Sequence, residues 1–503
     1  MYVAFIDFRK AFDSISHQLL ITKLKDAGIT GNILEVLRSM YMQLHAHVKT
    51  PNGVTKSFPC MSGVQQGSLL SPFLFNLFLN SLSQQLNSPG MQKIQLGNAY
   101  INHLLYADDL ALISDTVFGL QRQLNILADY CEAWGLTVNI EKTNIIVFRR
   151  GGCLKLYEKW YYVGEQIDTV NTFKYLGVTF NSSGSWLKTQ EYLSIQTKKA
   201  LFGFKNIATK FGRLPPDVMC KIFDFKIAPI LLYGCEMWGT NESMLIERVH
   251  LRFCRYLLSV PKTTSNDGVR GELGRYPLFI QTVLRVLKYW FYILDQNQDR
   301  LLFKCYKFQH DKAERGQECW ALTVKNILFS MGFGHVWITQ GVANQKTFIS
   351  VFKQRCIDVE LQRFTESIGT NAKLKYYAIF KTEFACEKYL FVIENYILKI
   401  LMTKLRLGLL NLEIVLGRYE GVPREERFCK LCDSGLVEDE MHFVLVCNYF
   451  INERQTFIPR YYREHPSEFK FCQLLQCSKN SILINLCKFL FHACKRRDMF
   501  FRQ

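Results

Sequence analysis

The sequence predicts an α+β fold: an antiparallel sheet with helices over residues 1–183, followed by a helical segment, 184–300, and a mostly helical C-terminal region, 301–503. Three observations predict it. Short apolar runs at 3–8 and 103–113 read as strands, and both carry aspartate where a strand should end or turn. From residue 186 the apolar positions recur at helical spacing. Near the C-terminus Cys429, Cys432, His442 and Cys447 fall within nineteen residues at metal-ligand spacing.

The first strand, through Val3, Ala4, Phe5 and Ile6, ends at Asp7. A helical pattern follows, through Leu20, Leu24 and Ala27, and Gly28 stops it. Asp13, just before that helix, suits a capping or turn role better than Asp7 does. Asn52-Gly53, between Val48 and Phe58, signals a hairpin. Gln66-Gly67 opens an apolar helix through Leu70, Phe73, Leu74, Leu77 and Phe78, and Pro72 fits only near its start. The run 103–113 reads as a hairpin whose turn pushes Asp108 and Asp109 out of the sheet. Adjacent carboxylates against an apolar surface are costly to keep ionised, and a divalent cation, Mg²⁺ (or Mn²⁺), is their natural compensator. A solvated Asp-Asp turn is the competing reading of that tetrapeptide.

The motifs then resemble a family. Residues 5–17, Phe5-Ile6-Asp7-Phe8-Arg9-Lys10-Ala11-Phe12-Asp13 and onward to His17, look like motif A of reverse transcriptases from non-LTR (LINE-type) retrotransposons. Gly63-Val64-Gln65-Gln66-Gly67-Ser68 through Pro72, with Phe75-Asn76, resembles motif B, and Tyr106-Ala107-Asp108-Asp109 resembles motif C. Residues 134–139 with Lys142-Thr143 are similar to motif D, and Phe173-Lys174-Tyr175-Leu176-Gly177 to motif E. The five stand in the family's order, and the likeness continues through Leu231-Leu232-Tyr233-Gly234 and residues 271–277.

The resemblance implies a right-hand polymerase: a palm at 1–183, a helical thumb at 184–300, and a C-terminal region with a zinc module. It implies that Asp7 and Asp108 bind two metals, with Asp109 shaping the site. It implies that Phe12 lies under the incoming sugar and excludes a 2′-hydroxyl. Gln66 and Gly67 would approach the nucleotide or template, Lys142 the triphosphate, and the 173–177 turn the primer end. The substrates implied are an RNA template, a DNA primer and deoxynucleoside triphosphates.

Composition agrees. A net charge of +18, a pI near 9.1 and 14% aromatic residues suit a chain that grips polyanions and stacks bases. Seventeen cysteines at scattered spacing form no disulfide framework and read as reduced thiols. Of these, Cys429, Cys432 and Cys447 with His442 have the spacing of a tetrahedral Zn²⁺ site, and Arg418, Arg424, Arg427 and Lys430 beside them form a basic cluster that would touch nucleic acid. His492 with Cys487 and Cys494 reads as ordinary packing. No secretory signal is seen at the start and no apolar run is long enough to span a membrane, so the expected location is nucleus or cytoplasm.

One departure stands out. Motif A begins within seven residues of Met1, whereas the family places a fingers region before it, so the chain reads as truncated at its N-terminus; the endonuclease that usually accompanies these polymerases is not among these residues, and target cleavage is not assigned to them. Two functions follow: RNA-directed DNA synthesis by two-metal nucleotidyl transfer, or a catalytically incompetent nucleic-acid-binding remnant. No oligomeric state follows from the sequence.

Overall fold

The structure, a computed structural model, describes residues 1–149, 151–210 and 214–502, without the side chains of 205–210. The chain packs into two compact units. The first comprises Met1–Tyr192 and Asp295–Leu322, and the second Leu193–Leu294 with the residues from Thr323 onward. Among the described residues no helix is long and apolar enough to cross a membrane.

The first unit is built on five strands: β1 (Tyr2–Ile6), β2 (His103–Tyr106), β3 (Asp109–Ser114), β4 (Asn144–Val147) and β5 (Asp168–Thr169), in the order β5-β4-β1-β3-β2. All pairings are antiparallel except β4 with β5. β1 is central and buried on both faces, which is why its sequence is a continuous apolar run rather than an alternation. Ala4 and Ile6 pack with Leu110, Leu112 and Ile145 against α1 (His17–Asp26), α2 (Ser71–Leu86) and α3 (Val117–Trp134). Val3 and Phe5 face the other way with Ala111, Ile113 and Ile146. That face is covered by the hairpin β6 (Thr172–Tyr175) and β7 (Val178–Asn181), whose Phe173 stacks on Phe5 at 4.7 Å. The helix Leu301–Glu314 returns to this unit and packs on the small hairpin Ile94–Leu96/Ala99–Ile101.

Local details follow from residue chemistry. Thr116 caps α3, its hydroxyl accepting from the Gly119 amide at 3.0 Å. Lys23 on α1 is buried with its Nζ 3.3 Å from the Trp134 ring centroid and 4.9 Å from that of Tyr130. Burial pulls its pKa down to about 8, against a weaker upward pull from Asp26.

Of three local expectations, two are corrected and one holds. Asp13 caps nothing: it lies within a short helical turn, Ala11–Ser14, and Ser16 occupies the cap position of α1. Gln66-Gly67 does not open the helix but forms a turn before it, and α2 starts at Ser71 because Pro72 has no amide proton to give to a preceding helical turn. The hairpin near residue 52 exists, with Thr50 paired to Gly53 and Pro51-Asn52 at its tip.

The second unit is helical. It includes α4 (Met244–Leu258), α5 (Asn266–Leu273), α6 (Gln345–Thr370), α7 (Tyr396–Arg406) and α8 (Asn480–Phe500). Its interior holds an ion-pair network in place of a purely apolar core. Glu272 is 0% exposed and receives Arg406 Nε at 3.0 Å and the Tyr389 hydroxyl at 2.6 Å. Arg406 also meets Glu387 at 2.8 Å and the Leu475 carbonyl at 2.9 Å. Arg275, from the same 271–277 stretch, holds Asp224 in a bidentate pair at 2.7 Å. The stretch that resembled the family beyond its motif E is therefore structural.

Candidate active site and candidate metal centre

β1 and β3 pair with Ile6 opposite Leu110. One step further along that register puts Asp7 level with Asp109 at the same end of the sheet. Tyr106 pairs with Asp109, leaving Ala107-Asp108 as a two-residue turn. Ala107 has φ 53°, a left-handed conformation that costs a non-glycine residue about 1–2 kcal/mol. The strained turn carries Asp108 beyond the strand ends.

The backbone of Asp7 is held from its far side. Its carbonyl accepts from the Asn139 amide at 2.7 Å, its amide donates to Thr143 Oγ1 at 3.2 Å, and Arg9 donates to the Thr137 carbonyl at 2.8 Å. The segment resembling motif D thus clamps the end of β1. Burial raises the Asp109 carboxyl pKa, and the charges of Asp108 and then Asp7 raise it further, so the three acids act on one another. A cation among them would reverse that penalty, and this is the observation that fits them to a divalent ion. Their oxygens do not form as tight a group as the Cys/His cluster below, which alone among the described residues brings all its ligand atoms within 4.8 Å. The Tyr175 hydroxyl donates to the Asp109 carbonyl at 3.3 Å, and burial with the Asp109 charge pushes its phenol up to about 12.

The loop at 63–67 is bound to the loop at 12–15. Gly63 donates to the Ile15 carbonyl and Val64 to the Phe12 carbonyl, both at 2.8 Å. Buried His17 donates from Nε2 to the Gly63 carbonyl at 2.8 Å. Gly63 has φ +92°, and a Cβ there would lie 3.0 Å from Asp13 Cα, so backbone approach and conformation both require glycine. His17 and Gly63 stand within the stretches resembling motifs A and B, and their pairing across 46 residues has no local signature in the sequence. Gln66 does not reach outward with its amide: Nε2 donates to Asp13 Oδ1 at 3.0 Å. Gly67, at φ +85°, has open space where a Cβ would stand. Phe12 is half-buried and stacks on Phe75 at 4.8 Å. Lys142 is exposed in the turn before β4, its amide on the Asn139 carbonyl at 3.2 Å.

Residues 1–180 match the family described as reverse transcriptase (RNA-dependent DNA polymerase). These residues are a reverse transcriptase domain. The chain is 31% identical over 190 residues to the Pol polyprotein of the type-2 retrotransposable element R2DM of Drosophila melanogaster, covering 36% of this chain and 18% of that one. It is 30% identical over 287 residues to the Pol polyprotein of a type-1 R2 element of Popillia japonica, covering 54% and 39%. Among solved structures it resembles telomerase from Candida tropicalis with a fragment of telomeric RNA, at 15% identity and a TM-score of 0.29, over 70% of this chain and 48% of that one. The chain spans 18 to 40% of the length of the curated relatives it matches here. The reverse transcriptase domain contains Asp7, Phe12, Gln66, Gly67, Asp108, Asp109 and Lys142.

Outside that domain, Cys429, Cys432, His442 and Cys447 converge. Cys429 and Cys432 lie on a tight loop closed by the Cys429 amide on the Leu436 carbonyl, and His442 and Cys447 bracket the single helical turn His442–Val446. The Cys429 and Cys447 sulfurs are 3.9 Å apart, and Cys432 Sγ is 3.4 Å from His442 Nε2. A tetrahedron with metal–sulfur bonds of about 2.3 Å has edges of about 3.8 Å. The Cys447 contact, with His442 and the Leu431 amide, pulls the Cys429 thiol down, while the same contact and burial push the Cys447 thiol up, so the two sulfurs share a proton that a bound metal would displace. Arg454 braces the site, donating to the Cys447 carbonyl at 2.6 Å and the Val444 carbonyl at 2.9 Å.

The adjacent basic cluster is not a free surface. Arg427 gives its Nε and both terminal nitrogens to the Val422 and Ile414 carbonyls, and Lys430 pairs with Glu413 at 2.9 Å. Of the four, Arg427 is spent holding the fold, while Lys430 stays exposed beside its Glu413 partner. His492 stacks on Phe457 at 5.3 Å and joins no metal group.

Proposed function

We propose that this chain carries out, or carries the catalytic part of, RNA-directed DNA synthesis: nucleotidyl transfer from a deoxynucleoside triphosphate to a primer 3′-hydroxyl, on an RNA template. The observation that carries the reading is the placement of Asp7 and Asp109 level at one end of the sheet, with Asp108 on the turn beside them. Asp7, Asp108 and Asp109 would hold Mg²⁺ (or Mn²⁺), which supplies Lewis-acid charge at the attacking hydroxyl and the departing pyrophosphate. The chain's own residues do the rest. Phe12, braced by Phe75, sets the floor beneath the sugar. Gln66, tied to Asp13, fixes the loop that leaves Gly67 open to a nucleotide or template. Lys142 offers a positive charge next to the Asp7 segment. In this reading 1–183 serve as palm, 184–300 as thumb and 301–503 as a zinc-bearing C-terminal region. The location stays nucleus or cytoplasm.

Primer extension on an RNA template, with and without divalent cation, tests it directly. No extension by the chain, alone or joined to a fingers segment of the kind the family resemblance places before motif A, would overturn the polymerase reading. A sharper arm reads the sugar: Phe12→Val should raise ribonucleotide incorporation roughly tenfold or more, because a steric clash of about 1–3 kcal/mol is removed. Unchanged discrimination would leave Phe12 as a packing residue only.

For the Cys/His centre we propose Zn²⁺. Metal analysis of the purified chain should find about one zinc, lost in Cys432→Ser, together with the cobalt-substituted charge-transfer band. A metal content unaffected by that substitution rules the site out.

A further inference from the structure

The second unit has a cavity of about 470 Å³ between α4, α5 and α6. Four guanidinium groups line it: Arg248 and Arg255 from α4, Arg270 from α5, and Arg363 from α6. Arg248 and Arg255 are seven residues apart, so two helical turns place them on one face. A volume of this size is in the range of small-ligand sites.

Two of the four carry unmet donors. Arg270 is 5% exposed and its Nε has no hydrogen-bond partner; the Nε of Arg255 is also buried and unpartnered. A buried donor left without a partner is destabilising until an acceptor reaches it. Burial and the Arg270 charge together pull the Arg255 pKa down, so positive charge here is only partly balanced. Among the described residues Arg248 has no hydrogen-bond or acidic partner at all.

The acids on the cavity wall are already engaged. Glu247 takes Arg270 Nη2 at 2.9 Å and His250 Nδ1 at 3.4 Å, and Leu278 through its amide. Asp267 accepts the Ser367 hydroxyl at 2.6 Å. Glu242 lies 3.9 Å from Arg363, whose nearer partner is Glu360 at 2.7 Å. Arg255 gives its Nη2 to the Thr264 carbonyl at 2.8 Å and to Asn266 Oδ1, so the donors left on the cavity wall are the whole Arg248 guanidinium and the Nε groups of Arg255 and Arg270.

We propose that this cavity binds a phosphate group. Guanidinium forks match tetrahedral oxyanions in geometry and charge, and arginine keeps its charge when partly buried. The group can belong to a nucleic-acid backbone or to a free phosphate, and the test separates these sources. The site does not depend on the polymerase reading, since neither measurement involves synthesis.

The full-length chain is melted with and without millimolar inorganic phosphate at matched ionic strength, and its affinity for a short RNA–DNA hybrid is measured across a salt series. The variants are Arg248→Gln and Arg363→Gln, which are on the exposed rim and spare the buried Arg270–Glu247 pair. Phosphate should raise the melting temperature of the parent chain and not of the variants. If a backbone phosphate fills the cavity, hybrid affinity also falls about tenfold in Arg248→Gln, and the salt slope drops by about one unit. Loss of the phosphate effect with unchanged hybrid binding assigns the cavity to a free phosphate or phosphorylated small molecule. Parent and variants alike in both measurements would overturn the site.

Discussion

Asp108→Asn should abolish primer extension, by about 10³-fold or more, while binding of an RNA–DNA hybrid stays within about twofold. Asparagine keeps the size of the side chain and tolerates turn geometry, so the Ala107-Asp108 turn survives and only a negative charge is lost. Divalent-ion catalysis draws several kcal/mol from that charge, and each 1.36 kcal/mol is tenfold in rate. The substitution has a second readout that needs no activity. Asp108 is one of the two charges raising the Asp109 carboxyl, so removing it should shift the Asp109 titration downward, which side-chain carboxyl NMR would register. Parallel loss of binding and synthesis, with Asp109 titrating as before, would mark Asp108 as a structural turn residue.

Arg406→Met should destabilise the second unit by about 3–5 kcal/mol in urea unfolding, because it strands Glu272 as an uncompensated charge with no exposure to water. Only the neutral hydroxyls of Tyr389 and Tyr377 would then face that carboxylate. Adding Glu272→Leu to Arg406→Met should recover most of the loss, since replacing both partners of a buried pair by apolar groups is often neutral. A double-mutant cycle separates the pair from its surroundings. Additive losses would show that the two residues stabilise the unit independently.

These networks also show where reading the sequence stopped. Strands, the hairpin at 107–108 and the Cys/His spacing are written locally, since backbone period and short ligand spacing need only a few neighbouring residues. Long side chains choose partners by three-dimensional proximity, which periodicity does not encode. Gln66 is spent on Asp13 from 53 positions away, and Arg406 meets Glu272 across 134. Arg427 looked available on a basic stretch, yet three of its donors are consumed by carbonyls that no pattern marks. The four cavity arginines come from three helices, so no motif announced them. The return of residues 295–322 to the first unit was equally invisible, because the segment is helical like its flanks.

The pairing of β1 with β3 has a consequence for how this domain fails. A strand cannot slide by a fraction of a residue; a slip of β1 by one turns Val3 and Phe5 from one face to the other and puts Ala4 and Ile6 in their place, so both cores lose their β1 contents. The spacing of Asp7 from Asp109 is therefore quantised. Core damage at Ala4, Leu112 or Ile146 will reduce the fraction of molecules with an assembled site, and each surviving molecule should work at its full rate. Under the proposed polymerase reading, weakened variants of this sheet would lower the number of working molecules and leave the rate of each unchanged.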